Sequence, residues 1–317
     1  MKLASRSFFQ DFERDGHGNI IRCKMHDLMH DLAIMVAGIC GALRLHRLAK
    51  GDVLRSIGKL KHLRSLDLSR STKLTSLPIS LGKLLNLETL ILYGCEKLES
   101  LPREVTKLAN LRHLDMRGCD SLTCMPWGIG NLTNLEVLRG FRVEERGKWN
   151  AARMNELRRL TGLEELSIEY LGGVKKESDS AANFWIDKLP LQRLHLSFPL
   201  RRYLSEYLHP EEEEDNKAIQ GIPNSQTKMR ELRLVGMDKM KTLPPWIQYL
   251  PKLEILALSD CKNMETLPGW FSQLTSLKTL TVIGCGELPR KCQRDKGEYW
   301  PRISYIENVI AYEEEAA

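Results

Sequence analysis

Leucines recur through the middle of the chain at a fixed stride. Leu60, Leu84, Leu108 and Leu132 stand 24 residues apart, and the same stride links Leu63, Leu87, Leu111 and Leu135, then Leu66, Leu90, Leu114 and Leu138. One unit reads L-x-x-L-x-x-L-x-L-x-x-C-x-x-L-x-x-L-P-x-x-I, as in Leu84, Leu87, Leu90, Leu92, Cys95, Leu98, Leu101, Pro102 and Val105. The alternating L-x-L segment predicts a short strand with its leucines on one face and the residue between them on the other. A single unit cannot enclose its own leucines, so neighbours must stack, strand beside parallel strand. The proline fixes φ and turns the chain onto an outer side where no long helical period is written. The pattern returns at Leu250, Leu253, Leu256, Leu258, Cys261, Met264, Leu267, Pro268 and Phe271, and again at Leu274, Leu277, Leu280, Val282 and Cys285. Between Leu138 and Leu232 it loosens: the steps from Leu138 to Leu166 and from Leu166 to Leu194 are both 28, and that from Leu194 to Leu232 is 38. The polar stretches 175–183 and 206–226, the latter carrying four glutamates and an aspartate at 211–215, are therefore expected to be exposed loops.

A unit of this length and content is a leucine-rich repeat. The expected fold class is α/β, a right-handed leucine-rich-repeat solenoid with a parallel β concave face and an irregular convex side. The solenoid is expected over residues 41–288 with irregular insertions near 139–228, and residues 289–317 are expected to form a C-terminal capping segment and acidic tail. Cys95, Cys119, Cys261 and Cys285 share the position at the bend after the strand, where a small inward side chain is needed. A reduced, buried thiol is the expected state, with a disulfide between stacked coils as the other option. The outward strand positions place Asp67, Ile91, Asp115 and Arg139 in one column and Tyr93 and Arg117 in the next. These six are candidate partner-binding residues; the plainer reading is a solvated face.

A different unit occupies residues 1–40. An apolar segment ending at Phe12, a glycine-rich turn D-G-H-G-N at 15–19 and a strand-like I-I-R-C-K-M at 20–25 predict a hairpin. Met25, Leu28, Met29, Leu32 and Val36 then recur as one helical stripe, and a helix after a hairpin suggests a winged-helix remnant. His26 and His30 are i, i+4, the spacing of a zinc-protease helix, but Asp27 stands where that motif has glutamate and no third ligand follows. A polar helix edge is the better reading, and no C-x-x-C zinc spacing occurs. Neither a metal site nor an enzyme is expected.

Composition alters this picture little. The net charge is +6, but the 47 basic residues are dispersed among 41 acidic ones, which argues against a phosphate-tracking stripe and a nucleic-acid partner. The longest uncharged apolar stretch, 32–43, is too short to span a bilayer, and the N-terminus lacks the apolar run of an export signal. The eight cysteines are accordingly expected to be reduced, and the sequon at Asn131 to be a chance match.

Met25-His26-Asp27, set within C-K-M-H-D-L-M-H-D-L-A and preceded by S-R-S-F-F-Q-D-F, resembles the M-H-D motif of plant nucleotide-binding leucine-rich-repeat disease-resistance proteins. The L-P-x-x-I repeats with G-C at the bend and the run G-E-Y-W-P-R-I at 297–303 resemble that family's coiled-coil subclass, so the likeness spans essentially the whole chain. It implies that His26 contacts the β-phosphate of ADP in a complete NB-ARC module, that Asp27 holds the motif's geometry in the resting state, and that Met25 packs beneath it. It also implies a cytoplasmic receptor part whose partners are a pathogen effector or guarded host protein and the receptor's own nucleotide-binding module. The phosphate-loop pattern G-x-x-x-x-G-K-[ST] does not occur in the sequence. No cofactor is therefore expected for this chain alone, while ADP or ATP belongs to the complete family member. A freestanding repeat scaffold is the alternative function.

Overall fold

The computed structural model describes residues 9–14, 20–25, 41–45, 54, 57–123, 125–142, 154–169, 189–197 and 228–313, the first two stretches by their backbone alone. Strands β1 (Phe9–Arg14) and β2 (Ile20–Met25) pair antiparallel, so the expected hairpin is present. Lys24 and Met25 close β2, as the strand-like stretch 20–25 predicts, so Met25 does not open the helical stripe in which it was also placed. Residues 26–40, with the rest of the proposed helical stripe, lie outside the described residues.

The remaining strands form one eleven-stranded sheet in chain order. They are β3 (Ala42–Arg44), β4 (Ser65–Asp67), β5 (Thr89–Ile91), β6 (His113–Asp115), β7 (Val137–Arg142), β8 (Glu165–Glu169), β9 (Arg193–Ser197), β10 (Glu231–Val235), β11 (Ile255–Ser259), β12 (Thr279–Ile283) and β13 (Asn308–Tyr312). Every pairing in it is parallel. The long steps keep the first inward leucines in line: Leu138 pairs with Leu166, Leu166 with Leu194 and Leu194 with Leu232. Apart from one residue taken up in β7, the extra residues are accommodated outside the strands. β13 falls inside the segment expected to be a cap and continues the sheet, while Tyr299, Ile303 and Ile306, all buried, join the core and cover its end.

The inward leucines have no exposed surface at Leu66, Leu68, Leu90, Leu92, Leu114 and Leu138, and they merge with their neighbours into one continuous core. Each such side chain contributes roughly 1.5–3 kcal/mol by leaving water, which is what drives the coils to stack. On the outer side the chain makes short 3-10 helices, including Ile79–Lys83, Arg103–Lys107 and Gly269–Gln273. Pro78, Pro102 and Pro268 stand extended immediately before them, as the L-P-x-x-I pattern requires.

Polar side chains also bond from coil to coil, exposed asparagines at the rim and buried thiols within. Asn86, Asn110 and Asn134 donate their side-chain amides to the carbonyls of Lys61, Leu85 and Ala109 at 2.8, 2.8 and 2.9 Å. The thiols of Cys95 and Cys119 donate to the carbonyls of Leu68 and Leu92, both at 3.2 Å. The five cysteines whose side chains are described, Cys95, Cys119, Cys261, Cys285 and Cys292, are free and buried. Burial pushes the Cys119 thiol up to about 12, so it is an unreactive small hydrophobe.

One irregularity matters for the concave face. In β7 the ladder slips between Leu138 and Phe141, so that Phe141 takes the second inward position. Gly140 makes the bulge possible: its φ is +77°, and a Cβ there would lie 2.7 Å from the carbonyl carbon of Met116 and 2.8 Å from the Arg117 nitrogen.

Candidate recognition surface

The parallel register lines up the outward side chains. Asp67, Ile91, Asp115 and Arg139 pair in sequence across β4 to β7, forming the expected column. Beyond the bulge the column continues through Ser167, His195 and Arg233 on β8, β9 and β10. A parallel column two positions towards the strand N-termini contains Glu165, Arg193 and Glu231.

The two aspartates have structural tasks that the pattern alone did not reveal. Each is only 8% exposed. Asp67 accepts from the backbone N–H of Ser69 at 3.0 Å and from its hydroxyl at 2.5 Å, and pairs with Arg44 at 3.2 Å. Asp115 accepts from the Arg117 backbone N–H at 3.2 Å and holds the Arg117 guanidinium by two contacts, at 3.0 and 2.6 Å. Both carboxylates thus brace the turn two residues on. Tyr93 is exposed and lies under the Arg117 guanidinium, 5.6 Å from ring centroid to guanidinium carbon. It borders a hollow of about 420 Å³ that also reaches Arg70, Glu96 and Asp120.

A second hollow, of about 330 Å³, opens over β8, β9 and β10. Arg117, Arg139, Arg193 and Arg233 stand around it, with Glu165 and Glu231 between them and Ser167 and His195 among its lining residues. A chain of charges crosses the strands: Asp115 also contacts Arg139 at 3.4 Å, Arg139 pairs with Glu165, and Arg193 donates to Glu165 at 2.7 Å. Arg233 pairs with Glu231. Burial works to raise the Glu165 carboxyl, but Arg139 and Arg193 outweigh it and hold it below the usual carboxylate value. Burial, reinforced by Arg233 and Arg117, pulls the His195 imidazole below its ordinary value.

Of the residues singled out from sequence, the structure therefore brings Asp115, Arg117 and Arg139 together and leaves Asp67 and Ile91 further along the same column. Met25 is the last residue of β2, while His26 and Asp27 lie outside the described residues. The sequence reading missed Glu165, Ser167, Arg193, His195 and Arg233, although Ser167, His195 and Arg233 occupy the middle of L-x-L or L-x-I strands that were recognised. Among the described residues, no group of three or more His, Cys, Asp or Glu could hold a metal ion.

The model of the leucine-rich repeat region matches residues 39–259. This chain belongs to the leucine-rich-repeat proteins. Residues 1–33 match the winged-helix domain of disease resistance proteins, in line with the resemblance carried by the M-H-D motif. No curated protein matches the sequence. Similar solved structures include an internalin of Listeria monocytogenes, 13% identical over 93% of this chain and 85% of its own, with a TM-score of 0.44. A leucine-rich-repeat protein of Leptospira interrogans is 20% identical over 80% of this chain and 73% of its own, with a TM-score of 0.32. The leucine-rich-repeat ectodomain of the Arabidopsis thaliana receptor kinase GASSHO1/SCHENGEN3 is 17% identical over 81% of this chain and 34% of its own, at 0.36. No helix among the described residues of this leucine-rich-repeat protein is long and apolar enough to cross a membrane.

Proposed function

We propose that this chain supplies the ligand-recognition and autoregulatory part of an intracellular plant immune receptor. Its concave face meets a pathogen effector or a guarded host protein, and its winged-helix end couples that contact to the receptor's own nucleotide-binding module. The observation that carries this reading is the succession, in one chain, of a disease-resistance winged-helix match at residues 1–33 and a repeat region at 39–259. A stacked parallel sheet with a charged, ordered concave face suits protein binding. The work is binding and restraint, performed in the cytoplasm, with no chemistry by the chain itself.

The residues that the resemblance assigns to the nucleotide, His26 with Met25 and Asp27 beside it, have no described side chains, and the sequence contains no phosphate loop. The test is to sequence the transcript from which the chain is translated. An in-frame G-x-x-x-x-G-K-[ST] module upstream is expected. A transcript that opens at Met1 without such a module would contradict the receptor reading and leave a freestanding protein-interaction scaffold.

A further inference from the structure

The hollow over β8 to β10 contains polar atoms that the protein itself leaves unused. Ser167 is 3% exposed, yet its hydroxyl has no hydrogen-bond partner, and the buried Nε2 of His195 has none either. The two residues pair directly across β8 and β9, and both line the hollow. A buried hydroxyl without a partner is costly, whereas Asp115 further along the same outward column is fully engaged by Arg117 and Arg139. Arg193 and Arg233 are committed to Glu165 and Glu231 through Nε, which leaves the terminal nitrogens of each fork available on a half-exposed side chain. The guanidiniums can only donate, and hydroxyl and protonated imidazole can donate as well, so an acceptor is the one counterpart that serves all of them at once.

Four guanidiniums around the hollow face the three carboxylates Asp115, Glu165 and Glu231, so the acceptor that fits is an anion. The arginines run from β6 to β10, four strand spacings or roughly 19 Å, which exceeds the span of one small anion and matches several residues of a polypeptide. Glu165 and Glu231 alternate with the arginines, an arrangement that admits separate monoanionic carboxylates and repels a compact dianion.

We propose that this part of the concave face is a docking site for an acidic segment of a partner protein, with Ser167 and His195 donating to one carboxylate at the floor and the free ends of Arg193 and Arg233 bracketing it. The proposal deepens the recognition reading and rests on it only in taking the concave face as the surface that meets a protein. An arriving carboxylate favours protonated His195, which is faced by Arg193 on its own strand, Glu165 on β8, Glu231 and Arg233 on β10, and Arg117 beyond β6. Binding therefore tightens as pH falls towards the imidazole range while carboxylates stay ionised.

The test is fluorescence anisotropy with a labelled oligoglutamate peptide and the full chain carrying Glu211→Gln, Glu212→Gln, Glu213→Gln, Glu214→Gln and Asp215→Asn, so that its own acidic run does not compete. Saturable, salt-sensitive binding is expected, weakened roughly tenfold by Arg193→Ala and by Arg233→Ala, both exposed positions that leave the core intact. Ser167→Ala should weaken it less, and His195→Gln should abolish the gain at lower pH. Equal binding of oligolysine, unchanged affinity in the arginine variants, or displacement of the peptide by inorganic phosphate at equal concentration would each overturn the proposal. A natural partner that depends on Tyr93 and is indifferent to Arg193 and Arg233 would leave the recognition reading standing while removing this one.

Discussion

Gly140→Ala isolates the bulge that shapes the middle of the concave face. The substitution adds one methyl group at a φ of +77°, where an L-residue pays about 1–2 kcal/mol. The methyl carbon would also stand 2.7, 2.8 and 2.9 Å from the carbonyl carbon of Met116, the nitrogen of Arg117 and the carbonyl oxygen of Met116. All three are backbone atoms of the adjacent coil, pinned by the ladder, so the conflict cannot be relieved by a side-chain rotation. Overpacking of this kind adds about 1–3 kcal/mol, for a total of about 2–5 kcal/mol. Gly118→Ala is the matched control, because its φ of +69° carries the same conformational cost while its nearest neighbours stand at 3.4 and 3.5 Å. Its expected cost is about 1–2 kcal/mol. Gly269→Ala, with nothing within 4 Å, should be neutral or stabilising by up to about 1 kcal/mol. Urea denaturation followed by circular dichroism, compared by midpoints because stacked coils need not unfold in one step, reads the order directly. Gly140→Ala no more destabilising than Gly118→Ala would refute the close approach and with it the bulge.

Leu92→Ala empties a site with no exposed surface and should cost about 2–5 kcal/mol in the same assay; an unchanged midpoint would mean that the strand phase is wrong. Glu165, whose carboxyl is held below its usual value by Arg139 and Arg193, should add stability that is fully present above the unfolded-state carboxylate range and lost as pH falls through the lower folded value. Glu165→Gln should therefore flatten the fall in stability below about pH 4.5 relative to the parent, and an identical acid profile would contradict the assignment. Calorimetric titration of residues 1–317 with ADP should show no binding, since one charge-assisted histidine contact is worth about 1.5–3 kcal/mol against the roughly 8 kcal/mol of micromolar affinity. Micromolar binding would reveal a nucleotide site elsewhere in the chain.

The repeat, its strand phase and the buried cysteines were legible because a 24-residue stride leaves the leucines only one way to share a core. The concave column was legible as far as Arg139, where the stride ends. Past that point the register is carried by strand pairing across steps of 28 and 38 residues, and nothing local says that the extra residues leave Ser167, His195 and Arg233 in line. The reach of Asp67 and Asp115 to the N–H two residues on was not read from the strand pattern, which shows only that both positions point outward, and it explains why they are less available than an outward position suggests. The bulge at Gly140 was not readable, because it depends on the backbone of the preceding coil.

Recognition of a protein by the concave face is the central proposal for this chain. Its most direct measurement is surface plasmon resonance of a partner taken from challenged leaf tissue, titrated against the parent chain, Tyr93→Ala, Arg117→Ala and the outer-side variant Trp127→Ala. Tyr93 and Arg117 lie on the concave side, whereas exposed Trp127 stacks with Arg103 next to the outer 3-10 helices. Weakened binding by Tyr93→Ala or Arg117→Ala in chains that keep their urea midpoints, with Trp127→Ala unaffected, is the expected result. Undiminished binding by both concave variants together with loss in Trp127→Ala would contradict the claim.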